Sequence, residues 1–119
     1  MLAQIHHVQL AMPNGQEDRA TPFYLDVLGM DVEPKPPVLA KRGGIWFRKG
    51  AIRLHLGVET PFRPAKKAHP AFQVEGLDDL AQGLAAASFV VNWDTDLDGY
   101  RRFYSEDPFG NRIEFLEPA

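Results

Sequence analysis

Three histidines and one glutamate carry the chemistry this sequence offers. His7, His55, His69 and Glu114 each sit in a stretch where apolar and polar residues alternate: His7-Val8-Gln9-Leu10, Leu54-His55-Leu56, His69-Pro70-Ala71-Phe72 and Ile113-Glu114-Phe115. Successive side chains of a strand point to opposite faces, so parity separates the two sets. The apolar set (Val8, Leu10, Leu54, Leu56, Phe72, Val74, Ile113, Phe115) is expected to pack inward, leaving the four polar residues on the other face. Three imidazoles and a carboxylate suit a borderline divalent metal such as Zn, Ni, Co, Mn or Fe(II). Calcium or magnesium would require more oxygen donors.

A histidine alone on a strand is usually packed or solvated rather than ligating. These gain weight because they fall at matching places in two halves of the chain. His6, of opposite parity, is read as a helix-facing or edge residue. Arg53 and Arg112 share the parity of His55 and Glu114 and suit an anionic substrate group through paired hydrogen bonds. Tyr104 suits a substrate oxygen, whereas Trp46, Phe47 and Phe103 read as core or wall.

The elements that must position these residues follow from pattern and punctuation. Residues 5–11 alternate as a strand, ended by Pro13-Asn14-Gly15. Residues 17–28 read as a helix with Pro22 in its first turn, an apolar stripe of Phe23, Tyr24, Val27 and Leu28, and Gly29 as its stop. A short strand over 30–33 runs into Pro34, Pro36 and Pro37. A hairpin follows, 45–48 and 51–57, turning at Lys49-Gly50.

The order then repeats. Residues 69–74 form a strand. A helix opens with Asp78 and Asp79 where negative charge favours an N-terminus, and it carries Leu77, Leu80, Ala81, Leu84 and Ala85. Residues 89–93 form a strand and 94–99 a polar loop. A closing hairpin, 101–105 and 112–116, turns through Asp107-Pro108-Phe109-Gly110-Asn111, whose polar members read as turn chemistry. The chain is therefore expected to be one domain over 1–119, with a module at 1–60, a proline-containing linker at 61–67 and a second module at 68–119. His55 follows His7 by nearly the same interval as Glu114 follows His69, and a twofold-related repeat would bring the four together.

The chain has 119 residues, no cysteine and a net charge of −3. That length buries roughly two thirds of the unfolded surface, enough for a core without staples. The absence of cysteine excludes disulfides, thiolate ligands and a thiol nucleophile. The acidic balance argues against nucleic acid as a partner, and no apolar run is long enough for a membrane span. No signal-peptide pattern is read at the N-terminus, so a cytoplasmic location is expected.

The chain resembles the vicinal oxygen chelate superfamily, which includes glyoxalase I, extradiol dioxygenases, fosfomycin- and bleomycin-resistance proteins and methylmalonyl-CoA epimerase. The resemblance rests on His7-Val8-Gln9-Leu10, Phe23-Tyr24-Leu25-Asp26-Val27-Leu28-Gly29-Met30, His69-Pro70-Ala71-Phe72 and the segment from Asp107 to Phe115, and spans nearly the whole chain. It implies an α+β fold of two βαβββ modules whose curved sheets form a metal-binding cup. His7, His69 and Glu114 fall on the family's usual ligand positions. His55 stands where glyoxalase I has Glu and the epimerase has Gln, a departure from glyoxalase I itself.

By resemblance the function is that of a metal-dependent, glyoxalase-like lyase or isomerase acting on a small carbonyl substrate. One divalent metal acts as Lewis acid and Glu114 as base, and a need for glutathione is left open. The alternatives are an Fe(II) extradiol-type dioxygenase and a metal-free, drug-sequestering module of the bleomycin-resistance type. A homodimer is expected, both from family members of this length and from the open sheet edges.

Overall fold

The computed structural model describes Met1–Ala119 throughout and shows an α+β chain that divides into two compact units, Met1–Pro64 and Ala65–Ala119. Each carries one four-stranded mixed sheet. No helix is long and apolar enough to cross a membrane.

In the first unit the sheet is built from β1 (Val8–Met12), β2 (Asp31–Glu33), β3 (Ile45–Lys49) and β4 (Ile52–Val58), in the order β1-β4-β3-β2. β1 runs parallel to β4, and the other pairings are antiparallel. One transverse row reads Gln9, His55, Trp46, Glu33. The alternate residues Leu10, Met12, Phe47, Leu54 and Leu56 are buried together with Phe23 and Tyr24. Tyr24 stacks on Phe47, with ring centroids 5.1 Å apart.

The continuous α-helix expected over 17–28 is replaced by a 3₁₀ turn, Glu17–Ala20, and a π-helical stretch, Pro22–Val27. Pro22 has no N–H to offer. The Asp18 carbonyl instead accepts a bond from Thr21 Oγ1 at 3.0 Å, and the Leu28 N–H reaches back five residues to Phe23. The proline stretch, read as a simple break, contains a one-turn helix α1 (Pro37–Ala40) with proline at its favoured first position.

In the second unit the sheet order is β5-β8-β7-β6, from β5 (Ala71–Gln73), β6 (Asn92–Asp94), β7 (Tyr100–Glu106) and β8 (Arg112–Pro118). Helix α2 (Leu77–Ala86) buries Leu77, Ala81 and Leu84, one stripe at helical spacing. Phe103, Ile113 and Phe115 are buried on alternate positions of β7 and β8. The β7–β8 turn is a closed hydrogen-bond cage. Asp107 Oδ1 accepts the N–H groups of Phe109 and Asn111, and Asn111 Nδ2 donates to Asp107 Oδ2, each at 2.9 Å.

Three strands begin two or three residues later than the sequence expectation, each for a local reason. β1 begins at Val8 rather than residue 5, because its ladder with β4 begins at Leu54. β5 begins at Ala71 rather than residue 69. Pro70 lacks an N–H, and its carbonyl takes the Glu114 N–H at 3.0 Å as the ladder opens. β6 begins at Asn92 rather than residue 89. Ser88 adopts a φ of 68° and the Phe89 N–H returns to Leu84 O at 2.9 Å, so both residues close α2. His7 and His69 therefore both stand just ahead of their strands.

Candidate metal-binding site

Within the first unit, β4 holds His55 at only 4 % exposure. Trp46, opposite it on β3, lies flat against its ring at 4.0 Å and 6°, and His7 stacks on it at 4.2 Å and 17°. The stack fixes the imidazole plane. Burial first, then the neighbouring His7, hold the His55 pKa below its ordinary value, with Glu33 opposing. This favours the neutral imidazole, the form that ligates metals. Gly57 makes room on the same face: a Cβ there would lie 2.6 Å from Gln9 Nε2.

These side chains line a cleft of about 440 Å³ that also takes in His6, Lys35 and Arg53. Arg53 faces Arg48 across the β3–β4 pairing, two like charges side by side. Glu33 Oε2 is buried beside the cleft with no hydrogen-bond partner. His6 does not take the opposite face that parity gave it. Its Nδ1 lies 3.0 Å from His7 Nδ1, because both residues precede β1 and strand alternation does not govern them.

Within the second unit, Glu114 on β8 is flanked by Ala71 on β5 and Tyr104 on β7, its side chain 8 % exposed. Its Oε1 lies 2.9 Å from His69 Nε2, and His69 Nδ1 lies 2.8 Å from the Lys67 carbonyl. A carbonyl oxygen only accepts, so Nδ1 carries hydrogen and Nε2 is the nitrogen presented to Glu114. Such backbone anchoring of one imidazole nitrogen is how ligating histidines are commonly oriented. A cation placed between Nε2 and Oε1 would suit both.

Tyr104 is surrounded by cations and aromatic edges. Arg112 lies 3.8 Å over its ring, Arg102 5.3 Å, and His69 meets it edge-on at 5.5 Å. Arg112, Tyr104 and Lys66 border a smaller cleft of about 220 Å³.

Each unit therefore pairs two of the four expected ligands, His7 with His55 and His69 with Glu114. Within neither unit do three such side chains gather as a metal site. By donor type, the imidazoles of His7 and His55 in the first unit, and the imidazole and carboxylate of His69 and Glu114 in the second, are each of the kind that suits a borderline divalent metal. Arg102 was missed by sequence reasoning. It donates to Glu114 Oε2 at 3.3 Å and to Asp94. The signal was its shared parity with Tyr104, on the strand facing Glu114.

Among solved structures, a glyoxalase family protein from Bacillus anthracis is 47 % identical, covers 100 % of this chain and 98 % of its own, and superposes with a TM-score of 0.95. A fosfomycin resistance protein, FosX, from Listeria monocytogenes is 14 % identical over 100 % of this chain and 96 % of its own, TM-score 0.79. Lactoylglutathione lyase from Agrobacterium tumefaciens is 22 % identical over 92 % and 91 %, TM-score 0.68. The last two establish likeness of fold alone. Among curated proteins nothing matches. A family profile covers residues 4–115, and with the 47 % identical structure it shows that the chain belongs to the Glyoxalase/Bleomycin resistance protein/Dioxygenase superfamily.

Proposed function

We propose that His7, His55, His69 and Glu114 are ligands of a divalent metal, and that the protein is a glyoxalase-like lyase or isomerase acting on a small carbonyl compound. The observation that carries this reading is the His69–Glu114 pair: a buried carboxylate 2.9 Å from an imidazole nitrogen whose ring partner is tied to a backbone carbonyl. A bound metal would supply Lewis-acid polarisation of the substrate's carbonyl oxygen. On a 2-hydroxycarbonyl substrate, Glu114 takes the proton from the hydroxyl-bearing carbon and returns it to the former carbonyl carbon, while the hydroxyl proton passes to the former carbonyl oxygen. The Tyr104 hydroxyl donates to a substrate oxygen, and Arg53 and Arg112 hold an anionic arm of the substrate. The two units act as one domain, and the working assembly is a homodimer that covers open edges of the sheets, which end in β1 and β2, and in β5 and β6.

The test is proton exchange. Metal-loaded protein is incubated in D2O with 2-hydroxyketones and with 2-oxoaldehydes, with and without glutathione, and deuterium beside the carbonyl is followed by NMR. Incorporation that disappears in Glu114→Gln supports the proposal. Oxygen uptake with catechols, and no exchange with any carbonyl compound, would replace it with the Fe(II) dioxygenase reading. Static light scattering at micromolar concentration tests the assembly, and a monomer mass contradicts the dimer.

A further inference from the structure

Glu114 is held at both oxygens. His69 takes Oε1, while Oε2 accepts from Arg102 Nη1 at 3.3 Å. Arg102 is in turn seated by Asp94, whose Oδ2 accepts from Nε at 2.9 Å and from Nη2 at 2.6 Å. All three side chains are largely shielded, 17 % exposed for Arg102, 22 % for Asp94 and 8 % for Glu114. β6 sets Asp94 opposite Arg102, and β7 sets Tyr104 opposite Glu114, so two neighbouring rows of one sheet face carry the array.

A planar guanidinium braced on one carboxylate has little freedom left, and its remaining N–H is aimed at a fixed point. A carboxylate with both oxygens engaged likewise cannot rotate freely. Surface salt bridges contribute little, but shielded, charge-assisted bonds of this kind set geometry. Arg101, the adjacent residue, shows the contrast. It points to the α2 side, is itself exposed, pairs with the exposed Asp78 and the half-buried Glu117, and has no link to Glu114.

We infer that Arg102, seated by Asp94, is a positioning residue that fixes the Glu114 carboxylate for the ligand and base roles proposed above. It touches neither metal nor substrate. Outer partners of this kind typically alter metal affinity by about 10–100-fold when removed. This inference rests on the proposed function only for its metal arm, and the experiment separates the two.

The first arm uses metal-free protein and the arginine Nε–Hε NMR signals. A resolved, exchange-protected Arg102 signal that moves in Glu114→Gln and broadens in Asp94→Asn supports the array. A signal unmoved in both overturns it. The second arm measures Zn(II) affinity by competition with a chromophoric chelator. Arg102→Met is expected to bind Zn(II) about 10–100-fold more weakly at nearly unchanged melting temperature, with Arg102→Lys recovering much of the loss. Adding Asp94→Asn to Arg102→Met should weaken binding no further, since both act through one contact. Parental affinity in Arg102→Met overturns the inference. If His69→Ala also binds Zn(II) like the parent, the metal reading has failed instead, and the NMR arm alone decides whether Arg102 fixes Glu114.

Discussion

Replacing Asn111 by Ala tests how the strands bearing the candidate site are locked together. Asn111 is fully buried in the β7–β8 turn. Its Nδ2 donates to Asp107 Oδ2 at 2.9 Å, and its Oδ1 accepts the Ala65 N–H at 2.9 Å. The substitution removes both bonds. The bond to the buried Asp107 carboxylate is charge-assisted and is worth roughly 2 kcal/mol, and the neutral bond to Ala65 about 1 kcal/mol, so the loss is about 3 kcal/mol. With an unfolding entropy of about 2.1 cal/mol/K per residue, a chain of this length changes its melting temperature by roughly 4 °C per kcal/mol. The midpoint should therefore fall by about 12 °C. Thermal and urea unfolding followed by circular dichroism check this, with the urea slope unchanged if only stability has moved. A loss below about 1 kcal/mol would refute the view that this cage, rather than strand pairing alone, holds the hairpin.

Two further outcomes follow from single side chains. His55 has a folded-state pKa below the ordinary imidazole value of 6.5. The unfolded chain therefore binds the proton more readily, and metal-free protein should lose stability as pH falls below about 6.5; melting temperatures from pH 8 to 5 should show a shallower fall in His55→Phe, which keeps a ring between Trp46 and His7, and identical slopes would contradict the assignment. Ser105 is 1 % exposed and its Oγ has no hydrogen-bond partner, so Ser105→Ala should leave stability unchanged or raise it by about 1 kcal/mol, and a clear loss on urea unfolding would count against that.

Most of the architecture was legible because the alternation around His55, Phe103 and Ile113 is strict and is reinforced by the repeat of element order. The turn at Asp107–Asn111 was legible because Asp, Gly and Asn each do a distinct job there, with Gly110 at a φ of 86°. The first helical segment was not, since apolar spacing shows which face packs but not how Pro22 shifts the hydrogen-bond register. Parity failed for His6 for a similar reason: it applies only inside a ladder, and His6 stands before one. Arg102 was hidden beside Arg101. Two consecutive arginines on a strand read as solvated charge until the pairing partners are known. Those partners then send one side chain to Asp78 and the other to Glu114.

The most direct test of the proposed metal site is X-ray absorption at the edge of a bound Zn(II) or Co(II), on protein loaded by equilibrium dialysis. About one metal per chain, three imidazole scatterers and one carboxylate oxygen are expected, with one imidazole lost in His55→Phe and another in His69→Ala. Retention of all three imidazoles in both variants, or no metal held at micromolar concentrations, would contradict it.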